Sequence, residues 1–130
     1  MTVRTINTRI FDLTDALGNK NIDKSISILN DLIYNKEPVQ KILIMLYSHF
    51  RRLYIVCLSQ KYNENILQNL NLKPNQTFLI DKYKMQARYF SETMLRQILN
   101  EFYNLDVNSK QGKIDLNLGL EAILCNYCSK

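Results

Sequence analysis

The residues of this chain whose types could do chemistry are concentrated in one apolar stretch, SHFRRLYIVC at 48–57. It contains His49, the only histidine, the Arg51–Arg52 pair and Cys57, one of three cysteines. A histidine can act as a base or a metal ligand, a thiolate as a nucleophile, and a guanidinium as an anion-binding group. The first question is whether this stretch is a site or the middle of a buried helix.

A zinc site built from His49, Cys57 and the Cys125–Cys128 pair is disfavoured by geometry. His49 and Cys57 are eight residues apart on one predicted helix, which corresponds to about 12 Å of rise. A zinc ion needs all its ligand atoms within about 2.3 Å. The C-x-x-C pair also lies in a helical pattern without a knuckle turn. The sequence therefore predicts no metal site, and it predicts no other cofactor.

Signatures of catalysis are also missing from the sequence. A single histidine leaves little material for a nucleophile–base arrangement, and neither G-x-x-x-x-G-K-[ST] nor G-x-G-x-x-G occurs. Carboxylates at four positions fit helix surfaces better than a paired acid–base site: Asp12, Asp15, Glu101 and Asp106. We therefore expect no enzyme and no catalytic residue.

The elements that must position these residues are predicted to be helices nearly throughout. Apolar spacing and cap residues place seven helices at 8–18, 21–35, 38–61, 63–70, 75–89, 91–107 and 116–128. Thr8, Ser91 and Asp115 can cap three of them, Pro38 can take a first helical position, and Gly18 can end the first helix in a left-handed conformation. The expected fold is all-α.

Composition is consistent with one domain of about seven helices. Only three glycines and two prolines occur in 130 residues, which disfavours folds with many tight turns. We expect a compact helical domain at 10–130, with residues 1–9 as a connecting segment or a cloning remnant. No apolar run approaches the roughly 18 residues of a membrane span, and no signal peptide is evident, so a cytoplasmic location is expected.

The predicted third helix has two apolar faces. On a helical wheel one face collects Val39, Ile42, Leu43, Leu46, Phe50, Leu53 and Cys57, with His49 and Tyr54 at its edges. The other face collects Ile44, Tyr47, Arg51 and Ile55. Two apolar faces are typical of a central helix covered by more than one neighbour. The second face therefore lies at a contact with another subunit, or another helix of the same domain covers it.

Individual residues of this helix have a structural and a functional interpretation. His49 is expected to be a boundary histidine rather than a ligand or a base. Cys57 is expected to be a small core residue. Arg51 shares its face with isoleucines, so it either snorkels at the surface or forms an ion pair across a subunit contact.

Nucleic-acid binding is the alternative function. The net charge is +5, and Lys82, Lys84 and Arg88 are interleaved with Tyr83 and Tyr89 on the predicted fifth helix. Basic and aromatic side chains together can neutralise phosphates and stack bases. An aspartate lies one turn before Lys84, as on an ordinary solvated helix. The alternatives are a small helical nucleic-acid-binding module and a charged, exposed helix.

The chain resembles the C-terminal domain of the bacterial DNA polymerase III delta subunit, a component of the clamp loader. Four stretches carry the resemblance in order: IFDLTDALGNKNIDKSISILNDL at 10–32, EPVQKILIMLYSHFRRLYIV at 37–56, QARYFSETMLRQIL at 86–99 and LDVNSKQGKIDLNLGLEAIL at 105–124. Together they cover about residues 10–126. Arg52 and Tyr54 stand where apolar residues are common in the family.

The resemblance implies a helical collar domain that does no chemistry itself. In the family, such domains pack with the C-terminal domains of the ATP-binding gamma/tau-type and delta-prime subunits, so that the complex can load the sliding clamp onto primer-template DNA. It implies that the face of Ile44, Tyr47, Arg51 and Ile55 meets an adjacent collar domain. The basic loop with Lys110 and Lys113 either approaches DNA or is an ordinary link between helices.

Overall fold

The computed structural model describes residues 6–128, with side chains described from Arg9 onwards. Within this range the chain is all-α, as predicted, with seven α-helices, one 3-10 turn and no strand. The helices are α1 (Ile6–Gly18), α2 (Ile22–Tyr34), α3 (Val39–Lys61), α4 (Ile66–Asn69), α5 (Phe78–Ala87), α6 (Glu92–Lys110) and α7 (Leu116–Cys128), and the 3-10 turn is Pro74–Gln76. The prediction for residues 1–5 and 129–130 lies outside the described residues.

Two of the predicted caps are confirmed by their hydrogen bonds. The Ser91 hydroxyl accepts from the Met94 amide at 3.0 Å, and the Asp115 carboxylate accepts from the Asn117 amide at 2.8 Å. Each bond satisfies one of the free amides at a helix N-terminus. Pro38 lies one residue earlier than predicted, since it precedes α3 as the cap residue with extended backbone.

Helix α1 ends at Gly18 as predicted, but its predicted start and the predicted left-handed conformation of Gly18 are wrong. The helix begins at Ile6, so Thr8 lies inside it. Gly18 is its last residue, and the left-handed conformation after it belongs to Lys20, at φ 57°. Gly18 is required for a different reason: a Cβ atom there would overlap the side chain of Gln86. The glycine therefore permits a close approach of α5 rather than a turn.

Three other helices differ in length from the prediction. The expected helix at 63–70 contains one α-helical turn, α4, with left-handed residues Asn63 and Asn71 on either side. Pro74 opens the 3-10 turn, and α5 starts only after it. The sixth helix continues to Lys110, where the i, i+4 pair of Lys110 with Asp106 spans the last turn at 3.2 Å.

Helix α3 is the centre of the domain and contacts α1, α4, α5, α6 and α7. Phe50 is fully buried there, and its ring lies 5.6 Å from that of Phe90 and 5.8 Å from that of Phe102. By length and composition α3 would also suit a membrane span, yet eight of its residues are buried inside the domain. It is therefore the core helix that holds the other elements in place.

Helices α3 and α6 run antiparallel along each other. Gln40, at the start of α3, donates to the Asp106 carboxylate near the end of α6 at 2.9 Å. At the other end of the pair, Lys61 lies 3.3 Å from Glu92. This pairing fixes which residues of the two helices share an exposed groove.

Candidate interaction surface on helix α3

His49 is buried rather than at the boundary of the core, so that prediction is wrong. Its Nε2 donates to Oε1 of Gln86 at 2.9 Å, and its ring lies edge-on to Phe50 and Tyr83. Burial lowers the pKa of His49 to about 4, since desolvation disfavours the charged imidazolium. The imidazole is therefore neutral near pH 7 and forms a polar link between α3 and α5.

The three cysteines lie in different environments. Cys57 is half-buried against the core, Cys125 is exposed and Cys128 is buried. Burial raises the pKa of both the Cys57 and Cys128 thiols, that of Cys128 to about 12. A raised pKa leaves little of the reactive thiolate form at pH 7. Across the described residues, no group of three or more His, Cys, Asp or Glu side chains could hold a metal ion.

Glu101 is not on the surface of α6 as expected but lies half-buried in a groove between α6 and α7. A hydrogen bond from the Tyr127 hydroxyl to its carboxylate raises the pKa of Tyr127. The second carboxylate oxygen, Oε2, is buried without a hydrogen-bond partner in the described structure. Among the described residues that line this groove there is no second carboxylate and no histidine, so Glu101 has no partner there for a paired acid–base site.

The second apolar face of α3 is exposed. Ile44 keeps 59% of its surface accessible and Tyr47 keeps 36%, while Arg51 is exposed and Ile55 is half-buried. The sequence left open whether another helix of the same domain covers this face. The described helices do not cover Ile44. We call the set Ile44, Tyr47, Arg51 and Ile55 the outer face of α3.

The outer face borders a groove between α3 and α6. Ile44 and Tyr47 line a cavity of roughly 290 Å³ with Phe102, Tyr103 and Asp106 on the α6 side. Tyr103 is 62% exposed, and sequence analysis did not single it out. The antiparallel pairing of α3 with α6 brings it here, and the spacing within α6 alone could not have identified it.

The neighbouring arginines Arg51 and Arg52 of α3 make no ion pair or hydrogen bond with the described residues. Arg51 and Arg52 are both exposed, and the ion pairs of the domain involve other cations. Arg51 lies on the outer face itself. Arg52 points towards the α1 and α5 side of α3, because it lines a second cavity with Met45 and Lys82. Both guanidinium groups are therefore available to an anionic group.

The alternative nucleic-acid face on α5 is not assembled as the pattern suggested. Lys82 lies 2.6 Å from the Asp15 carboxylate of α1, and Tyr83 is buried in the core. Lys84 is half-buried and Arg88 is exposed at the end of the helix. Lys82 is already paired and Tyr83 cannot stack on a base, so of the predicted face only Lys84, Arg88 and the exposed Tyr89 are left to bind nucleic acid.

The basic loop after α6 is exposed. Gly112 adopts a left-handed conformation with φ 73°, which forms the turn between α6 and α7. Lys110 is paired with Asp106, whereas Lys113 has no ion pair among the described residues. The two lysines are thus not equivalent, since only Lys113 presents an uncompensated charge.

The described residues form an all-α domain whose conspicuous exposed feature is the groove between α3 and α6. The chain belongs to the family described as the DNA polymerase III delta subunit, C-terminal domain, whose model matches residues 7–127. This confirms the resemblance seen in the sequence.

One curated sequence and one solved structure, both from Bacillus subtilis, are similar to the chain. DNA polymerase III subunit delta of strain 168 is 32% identical over 132 aligned residues, which cover 95% of this chain and 36% of that protein. The solved structure of the DNA clamp loader delta protein (YqeN) matches with a TM-score of 0.81 and 28% identity. That match covers all of this chain and 38% of the solved chain. The chain thus spans a little over a third of the relatives it matches.

Proposed function

We propose that this domain is a non-catalytic assembly module of a clamp-loader delta subunit. It packs against the C-terminal domains of the ATP-binding gamma/tau-type and delta-prime subunits in the cytoplasm, and so supports loading of the sliding clamp during DNA replication. The family match and the name of the similar solved protein, a DNA clamp loader delta protein, support the proposal. The chemistry of the described residues is consistent with it, since the histidine and the Cys128 thiol are buried.

The observation that carries the proposal is the groove beside the outer face of α3. Ile44 and Tyr103 expose about three-fifths of their surface on either side of it. Burying such side chains stabilises a complex by roughly 25 cal/mol per Å² of apolar area. Aromatic residues and arginine also dominate the residues that contribute most to protein interfaces. Tyr47, Tyr103 and Arg51 provide that composition.

The DNA contact of the clamp loader is a smaller part of the proposal. Lys113 extends from the loop after α6 without a paired carboxylate, so it can face a phosphate, whereas Lys110 first has to leave Asp106. Replacing both lysines by alanine is expected to weaken DNA binding by the full complex, with most of the loss due to Lys113. Unchanged DNA affinity of the double variant in a fluorescence titration would remove this loop from the DNA contact.

The assembly proposal is tested by light scattering behind a sizing column. The chain is mixed with the C-terminal domain of the ATP-binding clamp-loader subunit from the same organism. A mixed peak that persists at moderate salt is expected, because a packed apolar interface depends little on ionic strength, whereas phosphate binding weakens steeply.

A matched pair of tyrosine variants locates the contact. Tyr103→Ala removes an aromatic side chain from the groove, and the expected loss of affinity is about tenfold. Tyr34→Ala removes one from α2, where the side chain is 84% exposed and lines none of the described cavities. Equal effects of the two variants would contradict the assignment of the groove, and two separate monomer peaks for the unmodified chain would contradict the assembly itself.

A further inference from the structure

A second cavity lies on the other side of α3, between α1, α3 and α5. Its volume is roughly 300 Å³, and its apolar wall is formed by Phe11, Met45 and Leu79. Phe11 is 60% exposed, although it stands next to fully buried Ile10. A volume of this size is at the lower end of the range for ligand pockets, so it suits one large apolar side chain better than an extended ligand.

The polar wall of this cleft carries one uncompensated positive charge. Lys82 lines the cleft but is held by the Asp15 carboxylate at 2.6 Å, so that pair is neutral overall. Arg52 lines it as well and has no ion pair or hydrogen bond with the described residues. Ser48 lies one helical turn before Arg52 on the same face, and its hydroxyl also has no described hydrogen bond.

We propose that the cleft between α1, α3 and α5 is a docking site for a protein segment that carries a carboxylate beside a large apolar side chain. The apolar side chain contacts Phe11, Met45 and Leu79, and the carboxylate accepts hydrogen bonds from the Arg52 guanidinium and the Ser48 hydroxyl. An arginine and a carboxylate form paired, charge-assisted hydrogen bonds.

The charges of the cleft select this occupant over others. A neutral apolar segment would cover Arg52 and leave its charge without a partner, which is costly. A nucleic-acid backbone is a poor match, because the floor is apolar and the Asp15 carboxylate already neutralises Lys82. The site goes beyond the assembly contact proposed above: it uses different residues and recognises a different chemistry, although Ser48 borders both cavities.

The test is a nuclear magnetic resonance titration of the whole chain with 4-phenylbutyrate, a probe that combines a carboxylate with an apolar ring. The uncharged 4-phenylbutan-1-ol is the matched probe. Saturable shifts are expected at the amides of Phe11, Met45 and Arg52 with the carboxylate, and at least fivefold weaker binding with the alcohol.

Two neighbouring arginines supply the matched variants. Arg52→Gln is expected to weaken phenylbutyrate binding about fivefold, whereas Arg51→Gln, which leaves the cleft unchanged, is expected to have no effect. Equal binding of acid and alcohol, equal effects of the two variants, or no saturable shift in the cleft would each overturn the proposal. Tyr103→Ala on the α3–α6 groove should leave phenylbutyrate binding intact, so failure here and failure of the assembly proposal are distinguishable.

Discussion

The two sides of α3 are both apolar, but one is buried and the other is exposed. The inner side carries Phe50, Leu53 and Val56, none of which has accessible surface. The outer face carries Ile44 and Tyr47, which remain exposed beside Arg51. Both sides are apolar at helical spacing, so the difference lies in which neighbouring helices reach them. The inner side stabilises the domain, and the outer face has free energy of burial left to contribute to a complex.

The largest expected effect tests the inner side. Phe50→Ala should lower the free energy of unfolding by about 3–5 kcal/mol, because it leaves a cavity next to the rings of His49, Phe90 and Phe102. The measurement is urea denaturation followed by circular dichroism. Ile44→Ala is the control on the outer face, where a change within about 0.5 kcal/mol is expected. Similar losses in the two variants would mean that the two sides of α3 are not energetically distinct.

The second prediction concerns the polar part of the inner side. In Gly18→Ala, the new Cβ atom would overlap Gln86, whose side chain is buried and holds His49. Moving Gln86 breaks that hydrogen bond, so we expect a loss of about 3 kcal/mol from overpacking and an unpaired polar group.

A double-mutant cycle tests the reason for that loss. Gln86→Ala removes the side chain that Gly18 accommodates, so adding Gly18→Ala to this variant should cost markedly less than in the unmodified chain. Urea denaturation of the four proteins gives the coupling free energy. Additive effects would show that Gly18 is required for another reason, such as the backbone of α1.

A third prediction is a pH dependence of stability due to His49. Its pKa is about 4 in the folded domain and about 6.5 in the unfolded chain, so between these values the unfolded chain binds more protons. The free energy of unfolding should therefore fall as the pH is lowered through this window, by about 2 kcal/mol between pH 7 and pH 5. The charged groups that act on the imidazole are Asp15, Arg52 and Lys82.

The control for the pH effect is His49→Gln. This variant lacks the titrating imidazole, so its stability should change less between pH 7 and pH 5 than that of the unmodified chain. Denaturation curves at both pH values give the difference directly. Parallel losses in the two proteins would assign the pH dependence to other groups.

The sequence predicted the helices well because their signals are local. Ser91 and Asp115 cap their helices through hydrogen bonds within three residues, and the apolar spacing of α3 is a property of the segment itself. The errors concern contacts that are distant in sequence. Gly18 was predicted to be left-handed because its packing partner, Gln86, is 68 residues away, and His49 was placed at the boundary because its partner is 37 residues away.

The candidate surface was predictable in part for the same reason. The periodicity of α3 identified the outer face, since Ile44, Tyr47, Arg51 and Ile55 are its own residues. It could not identify Tyr103 or Phe11, which reach the two cavities from other helices. The order of residues in α5 also suggested a basic and aromatic face there. In the structure Lys82 of that face is paired with Asp15, and Tyr83 is buried in the core.

The smallest change in stability is expected for Arg51→Ala, which tests whether Arg51 lies on the surface or in the packing of the domain. Arg51→Ala should change the melting temperature by no more than a degree or two, corresponding to less than about 0.5 kcal/mol, because the side chain is exposed and unpaired in the domain. The same variant should weaken association with the ATP-binding clamp-loader subunit, measured by the mixed peak in light scattering. A large drop in melting temperature would place Arg51 within the packing of the domain itself. Unchanged stability with unchanged association would show that Arg51 does not contribute to the contact. The contact would then lie in the groove of Ile44 and Tyr103, where burial of apolar surface alone stabilises the complex.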